Sequence, residues 1–114
     1  MVTIYHNPRC SKSRAALALL EERGVRPEVR RYLEQPPTIE ELSALLDLLG
    51  LEPLDVMRRS EAPFRQLDLG SGQHSREELL AALVAHPVLL ERPIVVSGQR
   101  AVLGRPPEKV LELL

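Results

Sequence analysis

The feature that most constrains this chain is a change of hydrophobic period around residue 10. Val2 and Ile4 read as the inward side of a short β-branched strand with Tyr5 and His6 at its end, whereas Ala15, Ala16 and Leu17 run together and cannot alternate as a half-buried strand would. Leu17, Leu20 and the neighbouring alanines make a helical stripe that ends near Gly24, a residue suited to closing a helix. Asn7-Pro8 breaks the strand before the helix begins. The order strand, loop, helix puts the chain's single cysteine, Cys10, at the helix entrance.

Further along, a second strand is expected from Glu28 to Leu33, stopped by Pro36-Pro37. Val29, Arg31 and Leu33 share one of its faces and Glu28, Arg30 and Tyr32 the other, so the buried face is ambiguous and the strand suits a sheet edge. Thr38 with Glu41, and Ser75 with Glu78, are capping boxes. They predict one helix burying Leu42, Leu45, Leu46 and Leu49 up to Gly50, and another burying Leu79, Leu80, Leu83 and Val84 up to Pro87. Between them Pro53 starts a short helical piece that delivers Arg58-Arg59, followed by a loop with one turn of helix. Ile94 to Val96, the turn Ser97-Gly98-Gln99 and Arg100 to Leu103 read as a hairpin. Pro106 or Pro107 then opens a terminal helix with Val110, Leu111 and Leu114 inward. The order implies an α/β fold with a thioredoxin-like core (βαβ…ββα, mixed sheet) and a helical insertion at about 38–90. At 114 residues, one domain over 1–114 is expected.

Charge narrows the function. Fifteen basic residues oppose sixteen acidic ones for a net charge of -1, so no overall field draws nucleic acid. With no long apolar window and no basic leader before Met1 to Tyr5, a soluble, cytoplasmic monomer away from membranes is expected. One cysteine excludes an intramolecular disulfide and points to a reducing compartment. All basic residues except Lys12 and Lys109 are arginine. Arginine grips tetrahedral oxyanions through two parallel hydrogen bonds, but GC-rich coding gives the same bias, so each arginine is argued by context.

At a helix entrance the backbone N–H groups of the first turn and the helix dipole favour a thiolate over a thiol, and Arg9, Lys12 and Arg14 add positive potential around Cys10. The same features would hold an anion without any chemistry. His6, four residues earlier, could hold a proton near the sulfur or lend it charge. Ser13 stands where a C-x-x-C site has its second cysteine; its hydroxyl could donate to the sulfur, but it cannot resolve a disulfide. Cys10, His6, His74 and His86 lack metal-ligand spacing, and no glycine-rich phosphate loop is present.

Four segments carry a resemblance: "IYHNPRCSKSR" at 4–14, "YLEQPPT" at 32–38, "HPVLLERPIVV" at 86–96 and "GRPPEKVLELL" at 104–114. Together they resemble the glutaredoxin-coupled arsenate reductase family and its close homologues, collinearly from Thr3 to Leu114. The resemblance implies a catalytic cysteine at Cys10, a nearby histidine at His6, and three substrate-binding arginines at Arg58, Arg92 and Arg105. Only the family register separates Arg58 from Arg59. It also implies that Pro93 stands where such folds carry a cis proline.

The implied reaction reduces arsenate, or a similar oxyanion, to arsenite through a thioarsenate adduct on Cys10. Glutathione is then the co-substrate and a glutaredoxin the protein partner, with no tightly bound cofactor and no metal. The pattern departs from the plasmid-encoded form at Ser11-Lys12. Related thioredoxin-like proteins that bind RNA polymerase as regulators provide the alternative reading, although they commonly carry C-x-x-C where this chain has Ser13.

Overall fold

The computed structural model describes residues 1–91 and 93–114. The chain divides into two compact units, Met1–Gln35 with Arg92–Leu114, and Pro36–Glu91.

In the first unit, β1 (Val2–His6), α1 (Ser11–Glu22) and β2 (Glu28–Arg31) are followed, after the second unit, by β3 (Ile94–Ser97), β4 (Arg100–Leu103) and a terminal 3-10 helix (Pro107–Leu113). The sheet order is β2-β1-β3-β4. β1 runs parallel to β2, with His6 opposite Arg31, and antiparallel to β3, with Tyr5 opposite Ile94. A mixed sheet follows, with α1 as the crossover between the parallel pair. This is the thioredoxin-like α/β arrangement expected, with the helical segment inserted between β2 and β3.

α1 ends as the glycine implied. Gly24 takes φ +76, its N–H bonds to Glu21 O at 3.0 Å, and the Val25 N–H reaches back to Leu20 O at 3.0 Å, the paired bonds of a Schellman closure. Ile4, Ala16, Leu20, Val95, Val110 and Leu113 form the buried core, joining sheet, α1 and terminal helix. The β3–β4 hairpin closes through two residues, with positive φ at Gly98, so β3 extends one residue past the expected Val96 to Ser97.

Two details of this unit differ from expectation. β2 ends at Arg31, two residues early, because the Glu34 and Gln35 N–H groups both turn back to Arg31 O. The terminal helix buries Val110 and Leu113, while Leu114 is exposed and Leu111 is half-buried. A 3-10 helix repeats every three residues, so Val110 and Leu113 align where an α-helical period would select Val110, Leu111 and Leu114.

In the second unit, α2 (Ile39–Leu49), a 3-10 turn (Pro53–Val56), α3 (Ala62–Gln66), a second turn (Leu69–Ser71), α4 (Arg76–Ala85) and a third turn (Pro87–Leu89) follow in order. Both capping boxes form: Thr38 and Ser75 accept from the Glu41 and Glu78 N–H groups, and each glutamate carboxylate accepts the N–H of its cap residue. Leu42, Leu45, Leu46, Leu79, Leu80 and Leu83 are buried, while Leu49 and Val84 stand at the margin. Arg76 ties α4 to α2 and the first turn through Asp47 at 3.3 Å and Glu52 at 3.1 Å. Among the described residues, no helix is long and apolar enough to cross a membrane.

Candidate active site

Cys10 is the N-cap residue of α1, half-buried, in extended backbone (φ -95, ψ 122). The loop before it holds itself in shape. Arg9 N–H donates to Asn7 Oδ1 at 3.0 Å, and Cys10 N–H donates to Asn7 O at 3.0 Å. Asn7 thus acts as an Asx turn that sets where the sulfur's backbone lies, a role the sequence reading gave only to a strand break. The signal was available, since asparagine commonly bonds the backbone two residues on. Arg14 N–H then bonds Cys10 O at 3.0 Å, and the Arg14 guanidinium donates to Pro8 O at 2.9 Å, so this cation crosses the same loop.

Beneath the loop lies a buried polar group of three. His6 is 5% exposed, Asn7 6% and Ser13 0%. Ser13 Oγ lies 2.7 Å from His6 Nδ1 and accepts the Asn7 N–H at 3.1 Å. The Ser13 hydroxyl, allowed by the sequence as a donor to the sulfur, is thus engaged with His6 and Asn7. Burial, reinforced by the Arg31 and Arg14 charges, holds the His6 pKa below the ordinary histidine value. A neutral imidazole at neutral pH follows, so lending charge to the thiolate is the disfavoured half of what the sequence allowed. Arg31, read only as a strand residue, enters the site through its place opposite His6 in the β1–β2 register.

The arginines fall in different places. Arg58 belongs to the second unit: its N–H donates to Leu89 O at 2.7 Å beside the Met57–Leu90 bridge, and its guanidinium lies 3.6 Å from Glu61. Arg59 stacks over the Phe64 ring at 5.4 Å, so the two neighbours have different partners. Arg105 follows β4 in the first unit, with its N–H on Leu103 O at 2.8 Å, and the Arg105–Pro106 peptide bond is cis. Arg92 lies outside the described residues, and with it the expectation of a cis bond to Pro93.

Sequence reasoning also missed Gly104. A Cβ there would stand 2.8 Å from Pro93 Cγ and 3.2 Å from Val110 Cγ1, and the Gly104 N–H donates to Pro93 O at 2.8 Å. Pro93, just before β3, and the segment leading into Arg105 approach this closely only because residue 104 has no side chain. A glycine at a strand end was the available signal.

A family model described as "ArsC family" matches residues 5–113. An uncharacterized protein of Escherichia coli K12, YfgD, is 50% identical over 114 residues, covering 99% of this chain and 96% of that protein. A protein of Haemophilus influenzae named "Arsenate reductase" is 44% identical over 114 residues, 99% of this chain and 98% of that one. Among solved structures, an arsenate reductase from Vibrio cholerae superposes with a TM-score of 0.96 at 54% identity, covering 99% of this chain and 97% of that one.

These findings correct the expected redox coupling. The resemblance implied a glutaredoxin-coupled enzyme with glutathione as co-substrate and glutaredoxin as partner. The match is to the ArsC family as a whole, and the single-cysteine site points to thioredoxin-coupled rather than glutathione- or glutaredoxin-dependent turnover. The physical reason is the supply of thiols. With Ser13 in place of a second cysteine, both reducing thiols must come from outside, and one dithiol protein brings the attacking and the resolving thiol in a single encounter. With a family model running from residue 5 to 113 and named relatives aligned along nearly their whole length, the chain belongs to the ArsC family.

Proposed function

We propose that this chain is an arsenate reductase of one domain, 1–114 with an insertion at about 38–90, acting as a cytoplasmic monomer on arsenate or a similar oxyanion. The observation that carries the reading is Cys10 at the N-cap of α1, in a chain whose curated relatives include proteins named arsenate reductase. The lone thiol supports a reducing, cytoplasmic setting.

The Cys10 thiolate attacks arsenic, forms an S–As bond and expels hydroxide, which leaves as water after taking a proton. A thiolate of the dithiol reductant then attacks the Cys10 sulfur. The S–As electron pair leaves with arsenic as arsenite, so arsenic gains two electrons and a mixed disulfide forms. The reductant's second thiol closes its own disulfide and releases Cys10. Charge grows on the oxyanion during attack, so first-turn N–H groups and arginine forks stabilise the transition state more than the ground state. Arg58, Arg92 and Arg105 are assigned to that task, and neutral His6, fixed by Ser13, to shaping the wall beside the sulfur.

Arsenite formation with thioredoxin, its reductase and NADPH tests the reading. Turnover should occur in the parent and vanish in Cys10→Ser. Lysine at Arg58 should lower kcat/KM by about tenfold to thousandfold, through loss of the bidentate fork, while Arg59→Lys stays near the parent. Turnover only with glutathione and glutaredoxin would overturn the coupling. No turnover, together with retention of RNA polymerase, would move the chain to the regulator class.

A further inference from the structure

α1 covers the centre of the sheet and leaves its β2 edge open. By register Ile4, His6, Val29 and Arg31 share one face, and Ile4 lies in the core against α1 residues Ala16 and Leu20. Val29, on the edge strand, remains 43% exposed, and Leu33 just beyond it 42%. Along this face runs a groove of about 410 Å3 lined by His6, Leu17, Val29, Arg31, Glu34 and Gln35. A second cavity of about 160 Å3 shares His6, Arg31 and Glu34 with it and adds Asn7, Pro8, Arg9 and Leu33. The two cavities share these three walls, and the segment Asn7-Pro8-Arg9 that lines the second belongs to the loop that positions Cys10.

The groove has far more room than one tetrahedral oxyanion fills, and its chemistry suits a chain. Val29 and Leu33 supply exposed apolar surface. Arg9 and Arg31 outweigh Glu34, with His6 neutral, so the lining is net positive. β2 stands at the end of the strand order, and among the described residues no strand pairs with it beyond β1, the placement at which an extended segment can be added to a sheet. A second copy of this chain would bring the same arginines against these, so like charges oppose that occupant.

We infer that this groove docks the protein dithiol that reduces Cys10, by holding an extended apolar segment with an acidic side chain along β2 while the attacking thiol reaches the sulfur. The inference rests on the reading of Cys10 as a nucleophile regenerated by a protein dithiol. The partner's thiolate attacks a sulfur bonded to a leaving group, and the bonding pair departs with that group. The partner's second thiol gives its proton to solvent, closes the partner's disulfide and expels Cys10 as thiolate.

The test needs no arsenate. Cys10 is loaded with thionitrobenzoate as a mixed disulfide, and release of the coloured thiolate is timed with thioredoxin and, separately, with dithiothreitol. Val29→Asp and Leu33→Asp should each slow release by thioredoxin about tenfold while leaving the dithiothreitol rate within about twofold, because the small dithiol needs no groove. Leu67→Asp, an equally exposed leucine in the second unit, should change neither rate. Equal slowing with both reductants, no slowing with thioredoxin, or the same slowing from Leu67→Asp would overturn the docking assignment. Failure of the parent to reduce arsenate would sink the functional reading, and thionitrobenzoate release would still decide the groove.

Discussion

Thr3 pairs with Glu28 on one side and with Val96 on the other, whereas the Thr38 hydroxyl that starts α2 finds its partner at Glu41, three residues on. The first unit is assembled from distant stretches of chain around a central strand, and the second from helices that announce their own ends. The chemistry divides along the same line. His6 and Ser13 meet only because β1 and α1 are locked into the sheet core, beneath the loop that leads to Cys10, while Arg58 follows a short bridge between Met57 and Leu90 within the second unit. The difference teaches that the nucleophile's surroundings depend on global packing, and the helical unit's geometry on short-range caps.

That contrast can be broken by mutation. Leu20→Ala empties a fully buried position in the first core and should cost about 2–5 kcal/mol in denaturant unfolding, whereas Thr38→Ala removes one cap and should cost about 1 kcal/mol. Equal costs would mean that the second unit relies on its caps more than its packing suggests. Smaller than the core loss, Ser13→Ala leaves His6 Nδ1 and the Asn7 N–H buried without their shared partner, for a cost of about 1–3 kcal/mol by the same measurement. A neutral result would show that the polar group beneath Cys10 is not structural.

The smallest effect is in pH. Burial first, then Arg31 and Arg14, lower the His6 pKa in the fold. Below the unfolded value of about 6.5, the unfolded chain therefore takes up a proton that the folded chain resists. Stability should fall as pH drops from about 6.5 toward the lowered folded value, and this contribution should be flat above 6.5. An NMR titration of the His6 ring should give a midpoint below that of an exposed histidine, and Arg31→Gln should raise it; a midpoint at or above the ordinary value would remove the neutral imidazole from the site.

How much could be read from the sequence follows the same division. Both capping boxes, the Gly24 and Gly50 closures and the leucine faces of α2 and α4 are local patterns, and the sequence located them. The face of β2 was ambiguous because it depends on where α1 lies, and burial of Tyr32 with exposure of Val29 and Leu33 is a tertiary outcome. The last helix was assigned the wrong inward leucine because a 3-10 period is indistinguishable from an α period over two turns of apolar residues. The places of His6 at the end of β1 and Cys10 at the entrance of α1 were legible from the period change. The Ser13 link was not, since strand end and helix turn had first to be brought together, and the close approach at Gly104 becomes visible only when Pro93 is placed opposite it.

The central claim is that this fold makes Cys10 a thiolate nucleophile at the entrance of α1. The most direct test is the rate of Cys10 alkylation by iodoacetamide as a function of pH, which in a chain with one cysteine reports a single sulfur. The helix N-terminus and the neighbouring cations predict a midpoint below the ordinary cysteine value of about 8.5, rising toward it when the chain is unfolded in denaturant. A folded-state midpoint at or above that value, unchanged by unfolding, would contradict the account.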